Sequence, residues 1–281
     1  GAGPTGVELA GQIREMATKT LAHEFHSIQP EEARVLLFDG GDRVLKTFAP
    51  DLSAKAQHSL EKLGVEMHFG VHVTDVRRDG ITVTPKDGGA PQDFRARTVL
   101  WTAGVVAPPL AREAGIAVDD KDRVVVDATL ASVSHPSVYA IGDAAAIRQS
   151  WGMVHGTCGS GIPSGVHAAT SIARRLRGKK AKPFRFGYYH QPLSLGRRAA
   201  LIQFTRADDS PGRWYLTGRL AARYKETVTS SPPMFYRMSK RMAIPTRFLL
   251  VRTGGRANRP VDVSGYAKTS SRQAQERQMA G

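Results

Sequence analysis

The first eleven residues, Gly1-Ala2-Gly3-Pro4-Thr5-Gly6-Val7-Glu8-Leu9-Ala10-Gly11, constrain the fold more than any other stretch. Three glycines in GxGxxG spacing run straight into a helical pattern in which Ala10, Ile13, Ala17 and Leu21 share one face. Each glycine has its own task. Gly1 permits a tight turn, Gly3 lets the backbone approach a diphosphate, and Gly6 lets the helix lie close to a sheet. Pro4 and Thr5 then open the helix, whose unpaired amides and positive dipole end favour an anion.

Such an array specifies little without its context. Arg34-Val35-Leu36-Leu37-Phe38 reads as a buried parallel strand, and Asp39 ends it where a carboxylate would accept a ribose 2′-hydroxyl. Gly40, Gly41 and Asp42 follow, with no arginine directly after Asp39, so NADH is expected over NADPH. The spacing exceeds the usual ~20 residues of such units. The excess, around residues 18–32, reads as an extended helix and loop. No strand precedes Gly1 in this sequence, and a segment of a longer chain is therefore expected.

Leu52, Ala56, Leu60 and Leu63 recur at helical spacing and stop at Gly64, a C-cap glycine. Val65, Met67 and Phe69, then Val71 and Val73, alternate; with Ile81 and Val83 beyond the Asp79-Gly80 turn they suggest a small antiparallel excursion. Residues 98–105 (TVLWTAGV) read as a buried strand ending near Gly104, which either carries a plain turn or lets the backbone pass close to a ligand ring. Val124-Val125-Val126-Asp127 reads as another strand. Residues 137–145 read as an apolar strand that ends in Gly142-Asp143 and starts an alanine-rich helix. There Asp143 either caps the helix or accepts from a sugar-alcohol hydroxyl.

Composition narrows the class. A single cysteine, Cys158, excludes a disulfide framework, a CxxC pair and a thiolate zinc cage within these residues, and favours a reducing compartment such as the cytoplasm. His23 and His26 lack a third ligand at suitable spacing, so no metal site is expected. His155, His167 and His190 stand singly. No apolar run reaches the ~18–20 residues of a membrane span. Net charge is uneven: residues 1–170 carry 16 Lys/Arg against 20 Asp/Glu, whereas residues 171–281 carry 24 against 5. That cationic part calls for a polyanionic partner, an anionic membrane surface or nucleic acid. No nucleic-acid module is visible in it, and none is expected to be bound.

Four motifs in this order, GxGxxGxE at 1–8, the acidic strand end at Asp39, WTAGV at 101–105 and VYAIGDAA at 138–145, resemble the FAD-dependent pyridine nucleotide-disulfide oxidoreductase superfamily. The WTAGV wording and the basic tail are most similar to its type II NADH dehydrogenases. The resemblance runs from Gly1 to about Gly178 and implies an α/β fold. A Rossmann-like NADH-binding domain (1–115, its first strand missing) would be followed by the returning part of a split FAD-binding domain (116–178). A basic membrane or interface region (179–260) and a polar, disordered tail (261–281) would complete the chain.

It also implies roles. Gly1, Gly3, Pro4, Thr5 and Gly6 would cradle the NADH diphosphate, Glu8 would face the nicotinamide side, Asp39 would hold the adenosine ribose, and Gly104 would pass close to the nicotinamide. Gly142 and Asp143 would belong to FAD, with Gly159, Ser160 and Gly161 offering amides to the flavin. No catalytic side chain is required, because hydride passes between cofactors. The electrons would go on to a quinone at the cytoplasmic face of the membrane. One departure weakens the quinone assignment: where quinone-reducing members carry Thr-Ala-Gln…Gln-Gln-Gly, this chain reads Thr157-Cys158-Gly159-Ser160-Gly161-Ile162-Pro163-Ser164-Gly165, with a helix from about Gly165 to Leu176. A soluble flavin-dependent NAD(P)H reductase of an electron-carrier protein, or a catalytically silent fragment, are the alternatives. At the carboxy-terminal end, aromatics interleave with arginines. The stretch 232–251 is basic and amphipathic, suited either to a membrane interface or to packing on the flavin domain.

Overall fold

The computed structural model describes residues 1–22 and 24–241. The tail expected at 261–281 and residues 242–251 of the amphipathic stretch lie outside them. The described chain divides into two compact units. The first takes Gly1–Gly104, His190–Phe204 and Pro211–Phe235; the second takes Val105–Tyr189 and Thr205–Ser210.

In the first unit, α1 (Pro4–Glu15) starts at its N-cap Gly3, with Pro4 at the first helical position, where a missing N–H costs nothing. It runs on through a single π-helical turn, Met16–Thr20. Strand β1 (Val35–Asp39) is followed by α2 (Pro50–Leu63) and by β2 (Val65–Phe69), which pairs parallel with β1 from Val35↔Val65 to Asp39↔Phe69. Strands β3 (Val71–Arg77), β4 (Gly80–Pro85) and β5 (Gln92–Arg95) form the antiparallel sheet, while β2 stays with the parallel pair. Val7 and Ala10 of α1, Leu37 of β1, and Leu52, Ala56 and Leu60 of α2 are buried in one core. Each fully buried leucine contributes roughly 1.5–3 kcal/mol.

Residues 98–105 are not a buried strand. No strand pairs with them among the described residues, and Leu100, Trp101 and Val105 are 54%, 64% and 80% exposed. An apolar run becomes a central strand only where neighbours take its backbone hydrogen bonds.

The second unit contains the short helix α3 (Leu110–Glu113), then β6 (Val124–Val125) paired parallel with β7 (Ala145–Ala146), and the small hairpin of β8 (Arg148–Gln149) and β9 (Gly152–Met153). Its long helix, α4 (Cys158–Leu176), begins seven residues before the position expected. Thr157 and Ser160 form a reciprocal capping box that starts it, in spite of Pro163 inside. Residues 137–145 also differ from expectation: Tyr139 makes an isolated bridge to Ala131, Gly142–Ala144 is a 3-10 turn, and the two alanines of β7 follow as strand, not helix. Phe184, Phe186 and Tyr188 are buried against Val126, Leu130, Ala140 and Ile147.

The remaining elements return to the first unit. Strands β10 (His190–Ser194), β11 (Ala200–Thr205) and β12 (Pro211–Thr217) make an antiparallel sheet, and α5 (Gly218–Arg241) follows. Leu193, Leu195 and Leu201 enter the core of α1 and α2, while Ala221 of α5 packs on Ala200 and Ile202. Residues of the 179–260 stretch thus occur in both units.

Candidate functional site

The chemistry-bearing residues gather around two glycine turns, one in each unit. In the first unit Gly1 runs beside Thr102, whose hydroxyl donates to the Gly1 carbonyl at 3.0 Å. A Cβ on Gly6 would lie 1.8 Å from that carbonyl oxygen, so only glycine allows α1 to approach the turn this closely. A Cβ on Gly3 would meet nothing within 4 Å. The helix entrance is therefore closed at Gly6 and open at Gly3. Val7 donates to the Gly3 carbonyl at 3.0 Å as the first intrahelical bond. Among the described residues the amides of Thr5 and Gly6 have no protein acceptor, and no side chain caps the helix. That is an anion cradle in chemical terms.

Asp39, at the end of β1, reaches the same turn. One carboxylate oxygen accepts from the Ala2 amide at 2.7 Å and the other from the Gly41 amide at 2.6 Å. The carboxylate thus ties the strand end to the glycine turn and keeps its remaining lone pairs for a hydroxyl donor. Glu8 projects from the second turn of α1 towards β10 and α5. Its Oε1 accepts from the Ser194 amide at 2.8 Å and from Lys225 Nζ at 2.6 Å. Lys225 also donates to the Pro192 carbonyl at 3.1 Å. Gly104 is exposed, with φ of +106° and open space where a Cβ would be.

The second unit holds the other turn. Gly142 has φ of +56°, its amide donates to Ser164 Oγ at 3.3 Å, and a Cβ there would lie 3.9 Å from Gly161. The Gly142-Asp143 turn and the first turn of α4 are therefore neighbours. Asp143 is exposed and has no hydrogen-bond partner among the described residues, and it caps no helix. Its carboxylate lies against Gly156, where a Cβ would fall 1.0 Å from Oδ1. Ser160 is spent on the helix start: its amide meets Thr157 Oγ1 at 3.2 Å and its hydroxyl donates to the His155 carbonyl at 2.9 Å. The Gly161 amide likewise donates to the Thr157 carbonyl at 2.8 Å. Among the described residues, the amides at this end that make no hydrogen bond are those of Cys158 and Gly159.

Beside this turn His155 pairs with Asp209 at 2.9 Å and stacks on Tyr188 at 4.5 Å. Burial pushes the Tyr188 phenol well above its ordinary value, against the lowering effect of the hydrogen bond that its oxygen accepts from the His155 amide. Burial also holds His167 below the usual histidine value, and the hydrogen bond to the Lys182 carbonyl offsets part of that. Among the described residues no group of His, Cys, Asp and Glu is placed to hold a metal.

Sequence reading did not single out Lys225, Thr102 or Gly156. Lys225 is 217 positions from Glu8, and only the fold joins them. Gly156, two residues before Cys158, carries no local signal beyond being glycine.

The chain is 37% identical over 212 residues to the type II NADH:quinone oxidoreductase NdhA of Mycobacterium tuberculosis, which covers 72% of this chain and 44% of that protein. It is 27% identical over 214 residues to the type II NADH:quinone oxidoreductase of Haemophilus influenzae, covering 73% of this chain and 46% of that one. The chain thus spans less than half the length of these curated relatives. Among solved structures, NDH2 from Plasmodium falciparum in complex with NADH superposes with a TM-score of 0.68 at 13% identity, over 82% of this chain and 60% of that one. The sulfide:quinone oxidoreductase of Aquifex aeolicus gives 0.62 at 14% identity, over 91% and 62%. These two share the fold. The pyridine nucleotide-disulphide oxidoreductase family profile matches residues 1–173, and the chain belongs to that family.

Proposed function

We propose that this chain forms the NADH-binding part and one wall of the flavin pocket of an NADH:quinone oxidoreductase of type II. The observation that carries the reading is the helix entrance at Gly1–Gly6, shut by backbone contact at Gly6, open at Gly3 and tied to Asp39 of β1. A diphosphate fits that opening, taken up by the free amides of Thr5 and Gly6 and the dipole of α1. Asp39 would accept from the adenosine ribose. Glu8, its charge offset by Lys225, keeps Oε2 for the nicotinamide end, and the open backbone at Gly104 leaves room for the ring.

The second turn fits a flavin nucleotide. Asp143, unpartnered and exposed, suits a ribityl hydroxyl, and the Cys158 and Gly159 amides suit a ring carbonyl or phosphate oxygen. Bound FAD would supply the redox chemistry, taking hydride from NADH and releasing the electrons to the acceptor. The protein's share is to bind both nucleotides, orient them and fix the charges around them.

Relatives named as NADH:quinone oxidoreductases support quinone as the acceptor. No helix among the described residues is long and apolar enough to cross a membrane. We infer peripheral docking on an anionic membrane at the cytoplasmic face, where NADH is supplied. The excess of 24 Lys/Arg over 5 Asp/Glu in residues 171–281 and the exposure of Trp214 (78%) and Leu220 (64%) support it.

The test is anaerobic addition of NADH to the FAD-reconstituted protein, followed by a short-chain quinone. Loss of the flavin's visible band on NADH and its return on quinone are expected. Reduction by NADH with reoxidation only by a soluble electron-carrier protein would replace quinone by such a carrier. No reduction at all would overturn the redox reading.

A further inference from the structure

The reaction proposed above, NADH + H+ + quinone → NAD+ + quinol, draws a proton from the medium. Hydride brings the electron pair and one proton, so the second quinol oxygen takes its proton from another donor. In the second unit one side chain is placed to give it. His155 directly precedes Gly156, the residue that abuts the Asp143 carboxylate of the proposed flavin turn, and leads into the head of α4. Its Nε2 meets Asp209 Oδ2 at 2.9 Å, its ring stacks on Tyr188 at 4.5 Å, and its amide donates to the Tyr188 oxygen at 2.9 Å. The imidazole is thus fixed in direction. Nδ1 makes no hydrogen bond among the described residues, and the side chain is 52% exposed, so water reaches the ring.

The carboxylate behind the ring is built in at a cost. The Asp209 side chain is 7% exposed, and its backbone is held at φ of +65°, a left-handed conformation that few residues with a side chain adopt. The Arg206 amide donates to the Ser210 carbonyl at 2.9 Å and the Asp209 amide to the Arg206 carbonyl at 3.0 Å, which closes that turn. The Tyr188 amide donates to the Ala207 carbonyl at 3.0 Å and fastens the turn beside the stacked ring. A carboxylate so placed orients a histidine and decides which ring nitrogen faces outward. Two other side chains here carry a proton. Burial pushes the Tyr188 phenol well up, so it keeps its own. Cys158 is exposed and makes no hydrogen bond among the described residues, so nothing orients it.

We propose, on the NADH:quinone reading above, that His155 hands the quinone its second proton and that Asp209 is the positioning residue behind it. With a proton on both nitrogens, the ring keeps Nε2–H on Asp209 and presents Nδ1–H outward. The Nδ1–H bond breaks as the quinone O–H bond forms, which leaves a neutral imidazole still held by Asp209. Water at the exposed ring restores the proton, so the overall balance is that of the reaction above.

The experiment takes the FAD-reconstituted chain, bleaches it anaerobically with NADH, and follows return of the flavin band by stopped flow. One arm uses a short-chain quinone; the other uses ferricyanide, which accepts electrons without protons. His155→Gln is expected to slow return with quinone by about 100-fold, the range of a lost general acid, while ferricyanide keeps its wild-type rate. Asp209→Asn, whose side chain tolerates the left-handed turn, should slow the quinone arm by about tenfold. Cys158→Ser should change neither arm. A second readout needs no variant and no turnover: mass spectrometry of the wild type after diethyl pyrocarbonate, which acylates accessible imidazole. Saturating quinone should remove most of the label from His155 and none from His58, which is exposed on α2. An undiminished quinone rate in His155→Gln, an equal loss in both arms, a loss that moves to Cys158→Ser, or unprotected His155 would each overturn the proposal. If NADH fails to bleach the wild type, the redox reading itself falls, and this proposal with it.

Discussion

The two glycine turns, at which we propose the two nucleotides bind, are built by different means. At Gly1–Gly6 the close contact is backbone on backbone, and the nearby carboxylate, Asp39, is committed to two amides of its own chain. At Gly142-Asp143 the close contact is a side chain on backbone, and Asp143 has no partner among the described residues. The first turn is part of the architecture, whereas the second holds its carboxylate in reserve. On the proposed reading, the carboxylate would serve a ligand and the fold together in one unit, and a ligand alone in the other.

The contrast is sharpest at the glycines. Gly6→Ala drives a Cβ into the Gly1 carbonyl, with only backbone to give way, and should cost about 3 kcal/mol or more of stability. Gly156→Ala collides first with the exposed Asp143 side chain, which can swing aside, so the cost should be about 1 kcal/mol. FAD retention should nevertheless fall. Equal melting-temperature losses in the two variants would erase the distinction.

Next come the carboxylates. Asp39→Asn turns an amide donor towards a backbone N–H and should destabilise by about 1–2 kcal/mol, read from denaturant unfolding. Asp143→Asn should stay within about 0.5 kcal/mol of wild type. It should weaken FAD binding by about tenfold, since a charged acceptor is lost. Lys225→Ala removes the partner of Glu8 and one attachment of α5. A loss of about 0.5–1 kcal/mol is expected for this partly exposed pair, together with weaker NADH binding.

What sequence made legible follows the same division. α2 was written in the spacing of Leu52, Ala56 and Leu60 and in its terminal Gly64, because one buried helical face needs nothing beyond its own period. β1 and its terminal Asp39 were equally readable. Residues 98–105 misled, since apolar content signals a strand only when pairing partners exist. The start of α4 was hidden by Pro163 and the glycines around it, although Thr157 and Ser160 at capping-box spacing were there to be read. Of the site, the glycine turns were visible because backbone demands act locally. Lys225 was not, because its place depends on α5 coming back to α1.

The smallest expected effect is on pH dependence. Burial lowers the pKa of His167 in the second unit, in part offset by the Lys182 carbonyl. A folded-state value below the unfolded one gives stability that is complete above the unfolded pKa of about 6.5 and is lost as pH falls below it. In the first unit, burial raises the pKa of Glu15, but the Arg197 amide and Lys19 outweigh it and leave the value lowered. That stability persists until pH falls below the ordinary glutamate range, near 4.3. Hydrogen exchange between these two pH values should therefore loosen α4 before α1, and His167→Gln should remove the difference.

The most direct measurement is calorimetric titration with NADH of the wild type and of Gly3→Ala, where a Cβ meets no protein atom within 4 Å but would enter the space we propose for the diphosphate. Saturable one-to-one binding by the wild type, lost in the variant without a change in melting temperature, is the expected result. Undiminished NADH binding in Gly3→Ala, or none in the wild type, would contradict a dinucleotide site at the head of α1.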